Sequence, residues 1–174
     1  MSTDPAKGYR ALREGRFSAN GETYFLTFCS TARAPGLHHT ELAQEIVEEL
    51  KLMERDCIWT MRCATIMPDH VHLLVTLGNR LPLGRSLARL KARTASKLRR
   101  SGLSWQQGYF DHRLRPREEQ LGYFHYVFLN PYRAGLIATG DKWPWFVCGK
   151  EDERWFMTLL NEALPEPAWL SGLP

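Results

Sequence analysis

Two histidines separated by one residue, His70 and His72, are the first candidates for chemistry in this 174-residue chain. They stand where apolar residues alternate with other side chains over residues 70–77, the pattern of a β-strand. Residues two apart in a strand point to the same face, and at a rise of about 3.3 Å per residue these imidazoles lie about 6.6 Å apart. Two neutral imidazoles at that spacing can converge on one cation. The alternative is two polar side chains on the wet face of a half-buried strand.

A second pair of candidates, Tyr126 and Asn130, lies four residues apart on a helix predicted over about residues 116–129. Residues at this spacing lie one turn apart on one face, and we expect Tyr126 to lie away from the apolar stripe of the helix. The helix should end at Asn130, because the residue before a proline is disfavoured in the α region. A tyrosine can be a covalent nucleophile, and a cation beside it would polarise a phosphoryl oxygen. The alternative is a core tyrosine with a hydrogen-bonded hydroxyl.

Asp111 and His112 are accessory candidates in a predicted loop and strand over residues 105–114. Both are polar groups that could lie near the cation or could satisfy a turn. The sequence leaves both interpretations open.

A predicted helix over about residues 83–100 carries a ridge of basic side chains. The ridge consists of Arg85, Arg89, Arg93 and Lys97. They recur every four positions and therefore share one face of the helix. A solvated helix face usually mixes charges of both signs, whereas this helix contains no acidic residue. We expect the ridge to bind a phosphate backbone, and a merely solvated face is the alternative.

Strands and helices must position these residues. Strands are predicted at residues 23–29, at 58–66 and from residue 70. The last two form a hairpin, because Met67, Pro68 and Asp69 between them are turn residues. Helices are predicted at about 41–55, with Thr40 as the cap, and at the two positions already described.

Composition indicates an ordinary soluble globular domain, with 44% hydrophobic and 24% charged residues. No apolar run approaches the ~20 residues of a membrane span, and the N-terminus lacks the apolar segment of a signal peptide. The four cysteines form no CxxC pair, so we expect reduced thiols and a cytoplasmic, nucleoid-associated protein without membrane contact.

Three motifs in order and spacing resemble the REP-associated tyrosine transposases. That family belongs to the His-hydrophobic-His (HUH) superfamily of single-strand nucleases and transposases. The motifs are MPDHVHLL at residues 67–74, WQQGYFDH at 105–112 and YVFLNPYRAGL at 126–136. The resemblance covers about residues 8–147. It divides the chain into a basic N-terminal arm (1–22), an HUH tyrosine transposase domain (23–149) and a helical C-terminal tail (150–174).

The resemblance implies a ferredoxin-like α+β fold, with helices packed on an antiparallel sheet and the HUH strand at its centre. It implies Mg²⁺ or Mn²⁺ held by His70 and His72, with Asn130 as third ligand and Tyr126 as the nucleophile that forms a 5′-phosphotyrosine. The implied partners are single-stranded DNA hairpins, repetitive extragenic palindromes with a short guide sequence. We expect further contacts to this DNA from Arg10, Arg16 and Arg133. The active form would be a monomer or a homodimer.

Three functions are compatible with these residues. The favoured one is a metal-dependent endonuclease and strand transferase that cuts and rejoins hairpin DNA. The second is a domesticated regulator that binds the hairpin without cutting it, which the intact histidines, tyrosine and asparagine disfavour. The third is a hydrolase that activates water, and it would need Asp111 or Asp69 as a base.

Overall fold

The fold is given by a computed structural model that describes residues 18–115, 120–138 and 141–152. Arg10 and Arg16 of the predicted arm lie outside the described residues. So does most of the predicted tail, and so do residues 116–119 at the beginning of the third predicted helix.

Five strands form one antiparallel sheet in the order β4-β1-β3-β2-β5. Their bounds are β1 Thr23–Cys29, β2 Trp59–Ile66, β3 His70–Leu77, β4 Phe110–Arg113 and β5 Phe146–Cys148. The strand with the two histidines is central, and it forms the predicted hairpin with β2. The predicted α+β class with the HUH strand at the centre of an antiparallel sheet is confirmed.

Three α-helices accompany the sheet in the described part of the chain: α1 Thr40–Arg55, α2 Leu83–Arg100 and α3 Gln120–Arg133. The predicted cap of α1 is wrong, because Thr40 is its first residue and His39 holds the cap position without a side-chain hydrogen bond. The predicted end of α3 is also wrong. The helix continues through Pro131, since a proline in the last turn removes only one backbone hydrogen bond, and the Ala134 amide still donates to the Asn130 carbonyl at 3.0 Å.

The sheet has two differently covered faces. Leu26, Leu73 and Val75 point toward α1 and α2 and form the larger apolar core with them. Phe25 and Leu74 point to the other face, where a smaller apolar cluster joins them to α3. Because strand residues alternate between faces, His70 and His72 share the α3 face with Leu74.

The ends of the described domain are bonded to the sheet. The Gly21 amide donates to the Leu77 carbonyl at 2.8 Å, so the chain before β1 continues the pairing with β3. Asp152 is buried and accepts two hydrogen bonds from the Arg62 guanidinium, at 2.7 and 2.8 Å. Gly21 and Asp152, which lie just outside the predicted boundaries at residues 22 and 149, therefore contact the sheet. Among the residues described, no helix combines the length and apolar character that a membrane span requires.

Candidate active site

The two histidines converge as predicted. Their Nε2 atoms are 3.0 Å apart, and the rings meet edge to face with centroids 4.5 Å apart. His72 is only 2% exposed, so the interpretation of a wet strand face is wrong for this residue. It is flanked in register by Thr27 of β1 and Thr65 of β2. The centre of the sheet therefore presents two imidazole nitrogens to a single point.

Each imidazole is oriented through its second nitrogen. Asp69 Oδ1 lies 2.6 Å from His70 Nδ1, and Thr27 Oγ1 lies 2.8 Å from His72 Nδ1. A carboxylate only accepts, so Nδ1 of His70 carries the proton and its Nε2 keeps a lone pair, directed toward His72 Nε2. The Thr27 hydroxyl can donate or accept, and either tautomer of His72 is compatible with it. Hydrogen bonds of this kind hold metal-ligating histidines in place in other proteins.

Burial keeps both imidazoles neutral. It lowers the pKa of His72 well below its ordinary value, and the neighbouring His70 lowers it further. Burial also lowers the pKa of His70, against the opposing effect of the Asp69 carboxylate. A histidine must be neutral to ligate a cation, so these environments favour the ligating form at neutral pH.

A buried hydroxyl without a hydrogen-bond partner lies beside His72. Thr65 is fully buried, and in the part of the chain described its Oγ1 has no partner. Cross-strand neighbours in register point to the same face, which places this hydroxyl next to the imidazole. An unsatisfied buried hydroxyl costs about 1–3 kcal/mol, so a polar ligand that bonded this hydroxyl would remove that cost.

These residues fit a divalent cation. Two nitrogens bound to one cation at about 2.1 Å and at right angles lie about 3.0 Å apart, and the Nε2 atoms have that separation, 3.0 Å. Within residues 18–115, 120–138 and 141–152, no group of three or more His, Cys, Asp or Glu side chains gathers around a point. Further ligands would therefore be amide or hydroxyl oxygens or water, which suits Mg²⁺ or Mn²⁺.

Helix α3 brings Tyr126 against the histidines. Its ring centroid is 4.9 Å from that of His72 and 5.6 Å from that of Phe25. Tyr126 is 5% exposed and belongs to the apolar cluster, so the prediction that it lies away from the apolar stripe is wrong. The buried surface of α3 is wider than one stripe, because Phe128 also packs on Phe146 of β5, at 5.1 Å between centroids.

Tyr126 and Asn130 make the predicted contact along the helix. Burial raises the pKa of Tyr126, and this is the largest effect on it. A hydrogen bond with the Asn130 side chain lowers that pKa, as do the positive charges of Arg133 and Arg33. The hydroxyl is therefore protonated at neutral pH, in surroundings that contain groups able to stabilise its phenolate.

The two accessory candidates separate. Asp111 pairs in register with Leu26, whose side chain faces α1 and α2, so Asp111 lies on the face opposite the histidines. Of the two interpretations left open for Asp111, this placement does not support the one near the cation, because neighbouring strand residues point in opposite directions. His112 lies on the α3 face and stacks on Tyr123, with centroids 5.5 Å apart and planes 13° apart.

Three of the four ridge residues on α2 pair with carboxylates of α1 or of the residue after it. The pairs are Arg93 with Glu49 at 2.7 Å, Lys97 with Glu41 at 3.1 Å, and Arg89 with Asp56. The fourth, Arg85, is exposed and lines a groove of about 480 Å³ together with Tyr109. Binding of a phosphate backbone by the ridge stays a prediction, and Arg85 is its best-placed member.

Comparison with known proteins agrees with this geometry. The family model described as "Transposase IS200 like" matches residues 19–114, which carry four of the five strands and both histidines. The chain belongs to the IS200-like transposase family.

Individual relatives of this IS200-like chain are REP-associated tyrosine transposases. It is 24% identical over 133 residues to one from Escherichia coli K12, with 74% of this chain and 78% of the relative covered. It is 27% identical over 95 residues to a candidate one from Haemophilus influenzae, with 46% of this chain covered. The match spans about half of that relative, 53%. The resemblance predicted from the three motifs is confirmed.

A solved structure of a REP-associated tyrosine transposase bound to a REP hairpin has the same fold. The TM-score is 0.65 at 20% sequence identity, with 84% of this chain and 82% of the other covered.

Sequence reasoning missed Thr27, Thr65 and Arg33 at this IS200-like site. The two threonines approach His72 only through the register of three strands. Arg33 lies in a loop and forms an ion pair with Asp69, its Nε 3.4 Å from Oδ2. No local pattern marks these residues. The only available signal was the alternating pattern of the neighbouring strands, which places a threonine on the same face as the histidines.

Proposed function

We propose that this IS200-like chain is a metal-dependent single-stranded DNA endonuclease and strand transferase, with Tyr126 as its nucleophile. The observation that carries the proposal is the packing of Tyr126 against His72, at 4.9 Å between ring centroids, with Asn130 bonded to the tyrosine. A tyrosine packed against a buried pair of neutral imidazoles is suited to phosphoryl transfer.

In this reaction the Tyr126 hydroxyl oxygen attacks the scissile phosphorus. The bond from phosphorus to the 3′ oxygen breaks, the protein becomes joined to the 5′ phosphate, and the phenol proton ends on the released 3′ hydroxyl. The phosphodiester is replaced by a phosphotyrosine ester, so a 3′ hydroxyl can reverse the step and rejoin DNA. The hydrogen bond from Asn130 and the charge of Arg133 stabilise the phenolate that forms during attack.

The cation implied by the resemblance is Mg²⁺ or Mn²⁺, held by His70 and His72 with Asn130 as third ligand. When bound, it would supply Lewis acidity at a phosphoryl oxygen. Asp69 and Thr27 keep the two imidazoles turned toward it.

The partner we propose is a REP-type hairpin with a short guide sequence, since a solved relative of the same fold is bound to a REP hairpin. Arg85, exposed beside the groove on α2, and Arg133 at the end of α3 are proposed contacts to its backbone. Arg10 and Arg16 are proposed contacts from the arm.

A hydrolase that activates water is the less favoured alternative. It needs a carboxylate base near the phosphate. Asp111 lies on the opposite face of the sheet, and Asp69 is engaged by both His70 and Arg33.

The test is transfer of a label from DNA to protein. A single-stranded hairpin labelled on the 3′ side of the cut is incubated with protein and Mn²⁺, then run on a denaturing gel. The native protein should give a labelled band at protein mass. Tyr126→Phe should abolish both band and cutting while it binds the hairpin within about threefold of native, because phosphate contacts dominate affinity. Tyr132→Phe is the matched control, since its hydroxyl donates to the Asp141 carbonyl at 2.9 Å.

Each outcome selects one function. Cutting without a labelled protein band indicates a hydrolase. Hairpin binding with neither cutting nor band, in both Mg²⁺ and Mn²⁺, indicates the regulator that binds without cutting. A band that persists in Tyr126→Phe would refute the assignment of the nucleophile.

A further inference from the structure

Two consecutive residues near the site, Ala32 and Arg33, have left-handed backbone conformations. Their φ angles are 54° and 55°, in a short turn over Thr31–Arg33. Residues other than glycine seldom adopt this region, because Cβ approaches the following carbonyl oxygen. Among the described residues only one further non-glycine residue, Cys57, has a positive φ. Strain of this kind persists only where surrounding contacts impose it.

The contacts that impose it come from both sides of the turn. Thr31 is bonded to Ser104 twice, from its amide to the Ser104 carbonyl at 2.8 Å and between the two hydroxyls at 2.9 Å. Ser30 is fully buried, and its amide donates to the Asp69 carbonyl at 2.9 Å. The turn is thus attached to the loop after α2 and to the loop that leads into β3.

The conformation directs Arg33 toward the histidine pair. Its Nε is 3.4 Å from Asp69 Oδ2, and its Nη1 is 3.1 Å from Cys29 Sγ. The other oxygen of the same carboxylate lies 2.6 Å from His70 Nδ1. Arg33 is therefore linked to the candidate active site through one side chain.

Most of the guanidinium is still available. The Arg33 side chain is 57% exposed, and Nη2 has no hydrogen-bond partner among the residues that the structure describes. A cation with unused donors is therefore held beside Asp69, the residue that orients His70.

We propose that Arg33 binds a phosphate of the DNA strand at the entrance to the candidate active site. This rests on the proposed function, because it takes single-stranded DNA as the ligand. A guanidinium offers paired donors in a fork that matches phosphate oxygens, and here Asp69 holds that fork without covering it. The competing interpretation is that Arg33 acts only on Asp69, as a positioning residue for His70.

Binding of a hairpin oligonucleotide in EDTA separates these interpretations, because any effect on metal affinity is then absent. Arg33→Ala should bind about tenfold more weakly at low salt, as expected for a lost charged hydrogen bond, and its salt slope should fall by about 0.7. Arg55→Ala is the matched control. It removes the same charge at the exposed end of α1 and should change affinity by less than about twofold.

Two further variants distinguish a phosphate contact from a structural role. Arg33→Gly relieves the left-handed strain, so it should unfold at the same or higher urea concentration than the native protein and still bind as weakly as Arg33→Ala. Asp69→Asn keeps the guanidinium but removes the carboxylate, and it should bind DNA in EDTA at least as tightly as the native protein. Equal weakening by Asp69→Asn and Arg33→Ala would overturn the proposal in favour of positioning.

A series of hairpins, each with one neutral methylphosphonate, locates the contact. At one position beside the cut, the substitution should weaken binding by the native protein and have no further effect on Arg33→Ala. If no position behaves in this way, Arg33 contacts no phosphate and the proposal fails. The proposed function has a separate readout, the labelled phosphotyrosine band, and native protein that forms the band while Arg33→Ala binds normally refutes only the role of Arg33.

Discussion

Replacing Thr27 by valine tests whether the Thr27 hydroxyl of β1 orients His72. The substitution keeps the β-branched shape and removes only the hydroxyl that lies 2.8 Å from His72 Nδ1. Because His72 is buried, its Nδ1 would be left without a partner, which costs about 1–3 kcal/mol. The free energy of unfolding in EDTA should therefore fall by about that amount.

Thr27→Val should also weaken metal binding, as an effect separate from the loss of stability. Partners of ligating histidines typically contribute about 10–100-fold to metal affinity. The Thr27 hydroxyl is neutral, so it should contribute less to metal affinity than the Asp69 carboxylate does. We therefore expect Thr27→Val to lower the Mn²⁺ affinity about tenfold, equivalent to about 1.4 kcal/mol. Mn²⁺ titration followed by electron paramagnetic resonance measures it directly.

Thr23 provides the matched control on the same strand. Its Oγ1 lies 3.1 Å from Oγ1 of Thr76, at the other end of the β1–β3 pairing. Thr23→Val should cost about 1 kcal/mol of stability, the usual contribution of one hydrogen bond, and should bind Mn²⁺ like the native protein. Equal Mn²⁺ affinities for Thr23→Val and Thr27→Val would refute the idea that Thr27 orients His72.

Two other predictions concern charge. In EDTA the free energy of unfolding should fall as the pH drops below about 6.5, because His72 takes up a proton in the unfolded chain but not where it is buried in the fold. Urea melts should show a smaller pH dependence of this free energy in His72→Gln. On α2, Arg93→Ala should lower the urea midpoint, since it leaves buried Glu49 without its cation, and should alter hairpin affinity little. Arg85→Ala should instead weaken hairpin binding, flatten its salt slope by about 0.7 and alter the urea midpoint little. Equal loss of hairpin affinity in Arg85→Ala and Arg93→Ala would show that the whole ridge contacts DNA.

Elements with a strong local period were predictable from the sequence. The strand at Thr23–Cys29 and the helix at Leu83–Arg100 have their predicted bounds, because aromatic and β-branched residues mark the first and a four-residue repeat marks the second. The histidine pair was also predictable, since it depends only on alternation within one strand. β5 was not predicted, because Phe146–Cys148 is too short to show a period.

What could not be predicted depends on contacts between distant segments. The threonines beside His72 belong to β1 and β2, and only strand register brings them together. The carboxylates that pair with the α2 ridge lie more than 30 residues away in the chain, so the charge run looked uncompensated. Tyr126 seemed to lie off the apolar face because its contacts with Phe25 of β1 and His72 of β3 arise only in the folded sheet.

The two-sided sheet has a consequence for engineering. Residues of the larger core and residues of the histidine face are separated by the backbone of the sheet, and sites without shared partners contribute additively to stability. Stabilising changes on α1 and α2 should therefore combine with inactivating changes at Tyr126 or His72 without interference. Under the proposed function, such a combination would give a more stable hairpin-binding protein that does not cut DNA.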